Sequence, residues 1–408
     1  MDNPPAFGSG PSRFHPSMSN TSDYEYGVQK EEHQGALEET LNLSFGISDY
    51  QAWRSSAGDE LLRTVYRQGQ FHGCVLPVPM GQWFGGRSVP MIGAAAVAVA
   101  IEHRGRGAAS FLMRRFVHEM HGEGWPISTL HPASWGLYRR AGYEPAGSFF
   151  RYTIPMARLP LQPREPAFRP FHADDQKALE AAYTQAVHHR NGFLDRSPVM
   201  WKRACSSHLG PFNGFVLPGP DGLQAFVFFK ALPGNSGEWN LELSCYGAVD
   251  GESSRRLLSF LAQQQTQLQN VKFYGGPQEP MLETLDFRYF QAKLNENWMV
   301  RLIHLPKAMA SRGWPLGLQA DLHFQVEDDL IQENNGAFRL QISGGEGRWI
   351  AGGEGRIQVS VPDMAPLYTS FHSATSLAQQ GRLQAPPEDL ARLDAAFAGP
   401  APGMAEEF

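Results

Sequence analysis

The sequence predicts an α+β protein of three successive units, and three observations support this prediction. A continuous apolar stretch, Met91–Ala100, is typical of a strand buried on both faces, and an amphipathic helix follows shortly after it. A second pattern of helices and strands begins after 157–166, a segment with three prolines that we interpret as a boundary. Two later segments, 320–326 and 337–342, alternate apolar and polar side chains as half-buried strands do.

Length and composition agree with several globular units. The chain has 408 residues, which suggests about two or three domains, and 42% hydrophobic residues are enough to fill ordinary cores. The net charge is −6 and only 19% of the residues are charged, so neither a nucleic acid nor an anionic membrane is expected as a partner. The cysteines are far apart and form no CxxC pair, which indicates reduced thiols and a reducing, cytoplasmic compartment.

No segment of the sequence is typical of a membrane span or a secretion signal. The longest apolar run, Met91–Ile101, has eleven residues, whereas a spanning helix needs about 20. The N-terminus lacks a charged start followed by an apolar core. Residues 1–22 are rich in Pro, Gly, Ser and Asn, and we predict a disordered tail there.

The first unit, residues 23–157, begins with short elements. Tyr24–Val28 is predicted to be a strand, and Glu31–Leu41 is predicted to be a helix because its apolar residues fall on one face. Leu61–Arg67 and Gly73–Val78 have the composition of strands. A Gly-Gly pair then favours a turn before the buried strand.

The helix that follows the buried strand is predicted from its apolar stripe. Ala109, Leu112, Phe116 and Met120 recur at spacings of three and four residues, and two glycines after them end the helix. The unit is completed by a strand at Pro126–His131, a helix at Gly136–Ala141 and a strand at Ser148–Ile154.

The second unit, residues 158–295, shows a similar pattern. Its predicted elements are a helix over 173–188, strands near 225–231 and 240–248, a helix over 252–266 and a strand over 271–274.

The third unit, residues 296–408, begins with a predicted strand at Trp298–Ile303. Asn334-Asn335-Gly336 predicts a hairpin turn between the two alternating strands, and a short amphipathic helix lies near the end of the chain. The sequence GGEGR occurs twice, at Gly344–Arg348 and Gly352–Arg356. Because neither copy opens a helix, we interpret both as hairpin turns rather than phosphate loops.

The segment Val97–Ser110 indicates a binding site. A buried strand leads through Arg104-x-x-Gly107-x-Ala109 directly into a helix. The first turn of a helix has unpaired backbone N–H groups at the positive end of its dipole. Glycines let a phosphate approach those groups, and Arg104 and Arg106 add charge-assisted hydrogen bonds. The pattern predicts a pyrophosphate site, with a basic surface turn as the alternative interpretation; it is neither a Walker loop nor a Rossmann fingerprint.

This motif resembles the acetyl-CoA motif of the GNAT N-acetyltransferases, and Leu137–Tyr143 resembles that family too. The resemblance implies that the pyrophosphate lies on the turn and that the preceding strand pairs with the pantetheine arm. It implies that the residues binding acetyl-CoA are Val97, Val99, Arg104, Gly105, Arg106, Gly107, Ala108 and Ala109.

Further segments are similar to the enhanced intracellular survival (Eis) acetyltransferases. They are His103-Arg104, Tyr138-x-x-x-Gly142-Tyr143, Arg392–Ala398 and Glu407-Phe408. This resemblance implies tandem GNAT folds, each a mixed twisted sheet with helices and the second degenerate, followed by a sterol-carrier-like α+β domain. Between 160 and 295 no second turn of the acetyl-CoA type occurs, so one acetyl-CoA per chain is expected. Eis relatives are typically hexamers, so the resemblance also implies a homo-oligomer.

The Eis resemblance implies an N-acetyltransferase with two catalytic groups. Tyr138 would be the general acid toward the CoA sulfur, and the α-carboxylate of Phe408 would be the base. Because no activated Cys or Ser nucleophile is evident, we expect direct transfer in a ternary complex. The alternatives for these residues are a packed tyrosine and a frayed terminus, and the competing hypothesis for the whole chain is a non-enzymatic CoA- or lipid-binding module.

The expected acceptor is a small-molecule or peptide amine. The candidates for its pocket are Phe45, Trp53, Trp83, Phe84 and Glu407. With Gly46 setting the register, the Eis resemblance places Trp53 at a pocket tryptophan and Leu43 where an acidic residue would help to hold a polycation, which implies a more apolar amine than an aminoglycoside. His103, His118 and His131 fit no set of metal ligands, so we expect no metal and interpret them as surface or core histidines.

Overall fold

A computed structural model shows the fold and describes residues 23–57, 61–161, 167–207, 210–234, 237–264 and 266–408. The predicted disordered tail, 1–22, lies outside the described residues. Within these ranges the strands form sheets of eight, seven and five strands and one small two-stranded sheet. Helices pack against the faces of the large sheets, as expected for an α+β protein.

The first sheet is built mainly from the first unit. The elements of this unit are β1 (Tyr24–Val28), α1 (Gln34–Phe45), α2 (Tyr50–Ala57), β2 (Arg63–Arg67), β3 (Gln70–Phe84), β4 (Arg87–Val99), α3 (Ala108–Glu123), β5 (Ile127–Leu130), α4 (Trp135–Arg139) and β6 (Glu144–Pro145). Helix α1 begins later than predicted because Glu31–His33 form a 3₁₀ turn. It continues to Phe45 because Gly46 provides the left-handed end, with φ at 69°.

Strands β4 and β5 separate within the first sheet. They are parallel neighbours only where Met91–Gly93 face Ile127–Thr129. After this point β4 contains a bulge: its register with β3 shifts, and Ala96 has a φ of 46°. A bulge bends a strand and increases its twist, so the last residues of β4 turn away from β5. The edge of β4 that carries Val97 and Val99 is left open toward the gap.

Two strands lie in a different sheet from the one that the sequence suggests. The strand predicted as the last of the first unit, Phe149–Pro155 (β7), pairs with two strands of the central sheet. The strand predicted to open the third unit is Met299–Leu302 (β17), and it pairs with β5 and β6 in the first sheet. All four residues of β17 are buried there. Strand β7 of the first unit therefore completes the central sheet, and β17 completes the first sheet, where β5 and β6 give it a neighbour on each side.

The central sheet follows the predicted order of helices and strands. Its unit contains β8 (Arg169–Pro170), α5 (Gln176–Val187), β9 (Leu194–Asp195), α6 (Pro198–Cys205), β10 (Ser206–Ser207), β11 (Gly210–Pro211), β12 (Asn213–Gly219), β13 (Gly222–Pro233), β14 (Trp239–Ala248), α7 (Gly251–Ala262), β15 (Leu268–Gly275) and β16 (Gln291–Glu296). Strand β9 belongs to the central unit in sequence, but it pairs with β3 of the first sheet. The order of the central sheet is β16-β7-β15-β14-β13-β12-β8.

The third unit has a five-stranded sheet covered by short helices. Its elements are α8 (Leu305–Ser311), β18 (Ala320–Glu327), β19 (Gly336–Ser343), β20 (Glu346–Ala351), β21 (Ile357–Ser360), α9 (Val361–Tyr368), α10 (Ala374–Gln379), β22 (Leu383–Gln384) and α11 (Pro387–Ala396). The predicted turn at Asn334–Gly336 is the end of a longer loop, in which Asp328 accepts a hydrogen bond from Asn334. The first GGEGR copy is the hairpin turn between β19 and β20. The second copy joins β20 to β21, which is parallel to β18, so it is not a hairpin turn.

The last ten residues, 399–408, which we call the tail, return from the third unit to the other two. Gly403 forms a bridge with Ser148, next to β7. Met404 is completely buried. One of the apolar core clusters extends from α1 of the first unit through Leu194 and Met200 of the central unit to α11 and Met404, so it joins residues of all three units.

Candidate active site

The turn between β4 and α3 has the features of an anion site. Gly105 and Gly107 have φ of 76° and 92°, a backbone conformation that side chains disfavour. Among the described residues, no side chain caps the first turn of α3, so its backbone N–H groups are available to a phosphate. Arg104 is exposed and its Nε donates a hydrogen bond to the Val99 carbonyl at 3.2 Å. The predicted residues of the turn are thus brought together around the start of α3.

Arg140 is a further cation at this turn that the sequence reasoning missed. Its Nε donates a hydrogen bond to Ser110 Oγ at 3.2 Å, in the first turn of α3. The Arg106 carbonyl is in turn fixed by the hydroxyl of Tyr24 at 3.0 Å. The signal in the sequence was the Arg139-Arg140 pair at the end of α4, whose position relative to α3 only the fold reveals.

A cavity of about 520 Å³ opens where β4 and β5 separate. The predicted residues Val97, Phe45, Trp53, Tyr138, Glu407 and Phe408 all line it. They come from α1, α2, β4, α4 and the tail, so segments far apart in the sequence together form the cavity. The walls also contain Ala94, Ala95 and Ala96, which belong to the part of β4 around the bulge.

Trp83 and Phe84 do not line this cavity, which corrects two of the predicted pocket residues. Phe84 is fully buried and packs edge-on against Tyr368 of α9, with ring centroids 5.4 Å apart. Trp83 faces a separate surface depression and contacts His188. The reason is that the end of β3 pairs with β9 and packs against the third unit, so its side chains fill those interfaces.

Tyr138 lies at the wall of the cavity and is 4% exposed. Burial raises the pKa of its hydroxyl to about 12. The sequence analysis placed the tyrosine on a helix, and it is the fourth of the five residues of α4. Tyr138 is therefore near the C-terminal end of α4, where the helix dipole does not lower the pKa of its hydroxyl.

Phe408 lines the cavity and packs on the face of the first sheet at Gly93. A Cβ atom added to Gly93 would be 2.7 Å from the Phe408 ring, so the missing side chain of this glycine makes room for the ring. The ring of His131 also contacts the Phe408 ring, and the two ring centroids are 5.3 Å apart. The neighbouring Glu407 also lines the cavity.

His131 and Glu296 form a pair in the cavity that the sequence analysis did not anticipate. His131 was interpreted as a surface or core histidine, yet it lines the cavity beside Phe408. Its Nδ1 forms a short hydrogen bond with Glu296 Oε1, and its Nε2 has no hydrogen-bond partner among the described residues. His131 directly follows β5, at the point where the sheet separates, and this position was a usable signal. Glu296 gave none, because it arrives from the central sheet.

Arg203 adds a positive charge to the cavity wall. It projects from α6 of the central unit, and burial lowers the pKa of its guanidinium. Within the ranges that the structure describes, no group of three or more His, Cys, Asp or Glu side chains could hold a metal ion. No helix among those residues is long and apolar enough to cross a membrane.

Comparisons with known proteins decide the family. Family models of an acetyltransferase (GNAT) domain match residues 26–146 and 192–302, and a sterol carrier protein domain matches residues 305–405. A GCN5-related N-acetyltransferase of known structure from Anabaena variabilis is 30% identical, with a TM-score of 0.89 over 94% of this chain and 100% of that one. The chain is a GCN5-related N-acetyltransferase of the Eis-like family.

Further relatives agree with this assignment. The N-acetyltransferase Eis of Mycobacterium tuberculosis is 26% identical over 349 residues, 77% of this chain and 79% of that protein. A GCN5-related N-acetyltransferase structure from Kribbella flavida, 24% identical, has the same fold with a TM-score of 0.83 over 95% of this chain and 98% of that one.

The family confirms several predictions. Tandem GNAT folds followed by a sterol-carrier domain are the predicted fold class, and the chain is an acetyltransferase enzyme, so the non-enzymatic alternative is set aside. GNAT acetyltransferases use acetyl-CoA.

Proposed function

We propose that this enzyme transfers the acetyl group of acetyl-CoA directly to a primary amine, in a ternary complex within the cavity between β4 and β5. The observation that supports this proposal is that Tyr138 and Phe408 line the same cavity, together with Val97 from the last part of β4. One acetyl-CoA would bind per chain. Its pyrophosphate would lie on the uncapped start of α3, and its pantetheine arm would pair with Val97 and Val99, which leads the thioester toward Tyr138.

Tyr138 stabilises the leaving thiolate through a hydrogen bond. A thiol has a pKa of about 8.5, whereas burial raises the pKa of Tyr138 to about 12. Full transfer of the phenolic proton to a thiolate in water would be uphill by about 5 kcal/mol, at 1.36 kcal/mol per pKa unit. A hydrogen bond to the developing negative charge needs no such transfer and is still effective catalysis.

The Phe408 carboxylate acts as the base by binding the ammonium and passing its proton on. An amine of the lysine type has a pKa of about 10.4, so its neutral form at pH 7 costs about 4–5 kcal/mol. A terminal carboxylate with a pKa near 3.5 is too weak a base for a direct transfer, so the proton leaves through water. The pair of His131 and Glu296 provides a nearby nitrogen that can join this relay.

The preferred acceptor is an amine with an apolar body and a single positive charge. Phe45, Ile47 and Trp53 give the cavity an apolar wall, and Leu43 is 58% exposed on the same helix as Phe45. Arg203 offsets only part of the negative charge of Glu296, Glu407 and the Phe408 carboxylate, so the preference for an apolar amine rests on the apolar wall. A small aromatic or aliphatic amine, or the amine of an apolar peptide, fits this wall better than an aminoglycoside does.

A panel of amines tests the proposed function. Purified enzyme with acetyl-CoA is expected to acetylate apolar monoamines with a higher kcat/KM than polyamines or aminoglycosides, measured by mass spectrometry of the product and release of free CoA. Binding of acetyl-CoA in calorimetry without transfer to any amine would contradict the proposal. Removal of Phe408 is expected to abolish most turnover, and full activity of that variant would exclude the carboxylate from the mechanism.

The place and assembly of the enzyme are also proposals. A cytoplasmic location is supported by three cysteines that are all free, Cys74, Cys205 and Cys245. A hexamer is supported only by the Eis resemblance, and light scattering after size exclusion would test it.

A further inference from the structure

We propose that Arg196 of the central unit is a positioning residue that clamps the tail through Glu406 and so keeps Phe408 in the cavity. The inference rests on the proposed function only where it connects the position of Phe408 with turnover. It assigns a role to the central unit, which lacks the turn that binds acetyl-CoA in the first.

Arg196 is held rigidly by the central unit. Its side chain is 2% exposed. The guanidinium carbon lies 4.0 Å from the ring centroid of Tyr183 and 4.8 Å from that of Trp201, and Nη1 donates a hydrogen bond to Cys245 Sγ at 3.0 Å. These neighbours belong to α5, α6 and β14. The guanidinium is therefore a fixed point rather than a mobile surface cation.

Glu406 supplies the negative charge that this buried cation needs. Arg196 Nε donates to both carboxylate oxygens of Glu406, at 2.8 and 3.0 Å, and the Tyr183 hydroxyl is 3.4 Å from the same carboxylate. A buried charge without a partner is strongly unfavourable. The tail provides the partner, so the ion pair favours the docked tail over a released one.

Backbone hydrogen bonds hold the part of the tail that precedes Glu406. Ser148 N–H donates to the Pro402 carbonyl at 3.0 Å, and Gly403 N–H donates to the Asn191 carbonyl at 2.9 Å. A Cβ atom on Gly403 would be 2.3 Å from Gly276 Cα, so the tail runs directly against the backbone of the central unit.

The chain segment between Glu406 and Phe408 is short, so fixing one residue restricts the other. Phe408 is two residues after Glu406, and two residues of extended chain span at most about 7 Å. Fixing Glu406 therefore restricts Phe408 to a small region beside Gly93. Release of Glu406 would leave the completely buried Met404 as the last fixed point, and four residues can reach about 14 Å. The ion pair thus determines how closely the tail end is confined.

The test replaces Glu406 by Gln, which keeps its shape and removes its charge. Compared with the wild type, E406Q is expected to release Phe408 to a carboxypeptidase at least tenfold faster. Its kcat is expected to fall at least tenfold at saturating acetyl-CoA, while the Kd for acetyl-CoA in calorimetry stays within twofold. E388Q is the matched control, because Glu388 forms an exposed ion pair with Arg356 on the third unit; its carboxypeptidase rate and kcat are expected to equal those of the wild type.

The readouts separate the clamp from the chemistry. An unchanged carboxypeptidase rate in E406Q overturns the clamp, whatever happens to kcat. A faster rate with unchanged kcat supports the clamp and overturns the Phe408 base of the proposed function. R196M provides a second variant from the other partner; if it folds, judged by circular dichroism, it is expected to match E406Q, and a wild-type carboxypeptidase rate in folded R196M overturns the proposal.

Discussion

At the residue scale, removing only the hydroxyl group of Tyr138 distinguishes a chemical role of this residue from a packing role. Phe in its place keeps the buried ring but removes the hydrogen bond to the leaving thiolate, so Tyr138→Phe is expected to lower kcat by about 100-fold, the usual effect of losing one such donor. The Kd for acetyl-CoA is expected to stay unchanged. Steady-state rates and calorimetry measure the two quantities.

Tyr143→Phe is the matched control for this prediction. Tyr143 is also buried, and its hydroxyl bonds Ser128 Oγ at 2.8 Å. Removing it is expected to cost about 1 kcal/mol of stability and to leave kcat unchanged. If Tyr138→Phe also kept the wild-type kcat, the role of the hydroxyl in transfer would be disproved.

The site residues that could be predicted were those that short motifs or the chain end mark. Tyr138 and Glu407-Phe408 were of this kind, and the structure brings them to one cavity. His131, Glu296 and Arg203 could not be found in this way. Each stands outside any motif, and its role depends on which residues the fold places beside it in the cavity. Trp83 was wrongly assigned because an aromatic residue in a strand is equally suited to an interface.

At the element scale, Gly93 marks the last point where β4 pairs with β5, and it makes room for Phe408. Gly93→Ala would place a Cβ atom 2.7 Å from the Phe408 ring. Because the clash meets the end of a side chain, the fold is expected to persist while the ring is displaced. We expect kcat to fall about tenfold with little change in melting temperature.

Gly122→Ala is the control for this substitution. Gly122 lies in α3 with nothing within 4 Å of an added Cβ atom, so alanine there is expected to be neutral or to stabilise by up to about 1 kcal/mol. Equal kcat values for the two variants would show that the position of Phe408 does not matter for the reaction.

Most helices and strands could be predicted, because periodicity reports burial along one element. The buried run of β4 and the stripe of α3 are examples. The bulge at Ala96 and the exchange of β7 and β17 between sheets could not, since an apolar pattern says that a strand is buried but not which strands lie beside it.

At the scale of the whole molecule, one buried ion pair joins the exchanged strand to the third unit. Arg301 of β17 and Asp328 are both at most 1% exposed, with 2.6 Å between them. Replacing Asp328 by Asn leaves the guanidinium without its counter-charge, which is expected to lower the free energy of unfolding by about 3–5 kcal/mol. Chemical denaturation followed by fluorescence measures this quantity.

The pair also predicts an acid sensitivity. Burial favours a higher pKa for Asp328, but the charge and hydrogen bonds of Arg301 outweigh it and hold the pKa below its ordinary value. Its stabilisation is therefore complete above about pH 4 and is lost as the pH falls through the lowered value. The difference between wild type and Asp328→Asn is expected to shrink below about pH 4. Asp321→Asn, which breaks an exposed pair with Arg339, is expected to change stability by less than about 1 kcal/mol.

The exchange of strands has a consequence during protein synthesis. Strand β5 leaves the ribosome long before its neighbour β17, because residues 131–298 lie between them. At about 5–20 residues per second, this interval lasts roughly 8–34 s. During that time the edge of β5 is without its final partner, and unpaired edges are where sheets aggregate. The edge of β5 that faces β17 therefore has no partner strand until residues 299–302 have been translated.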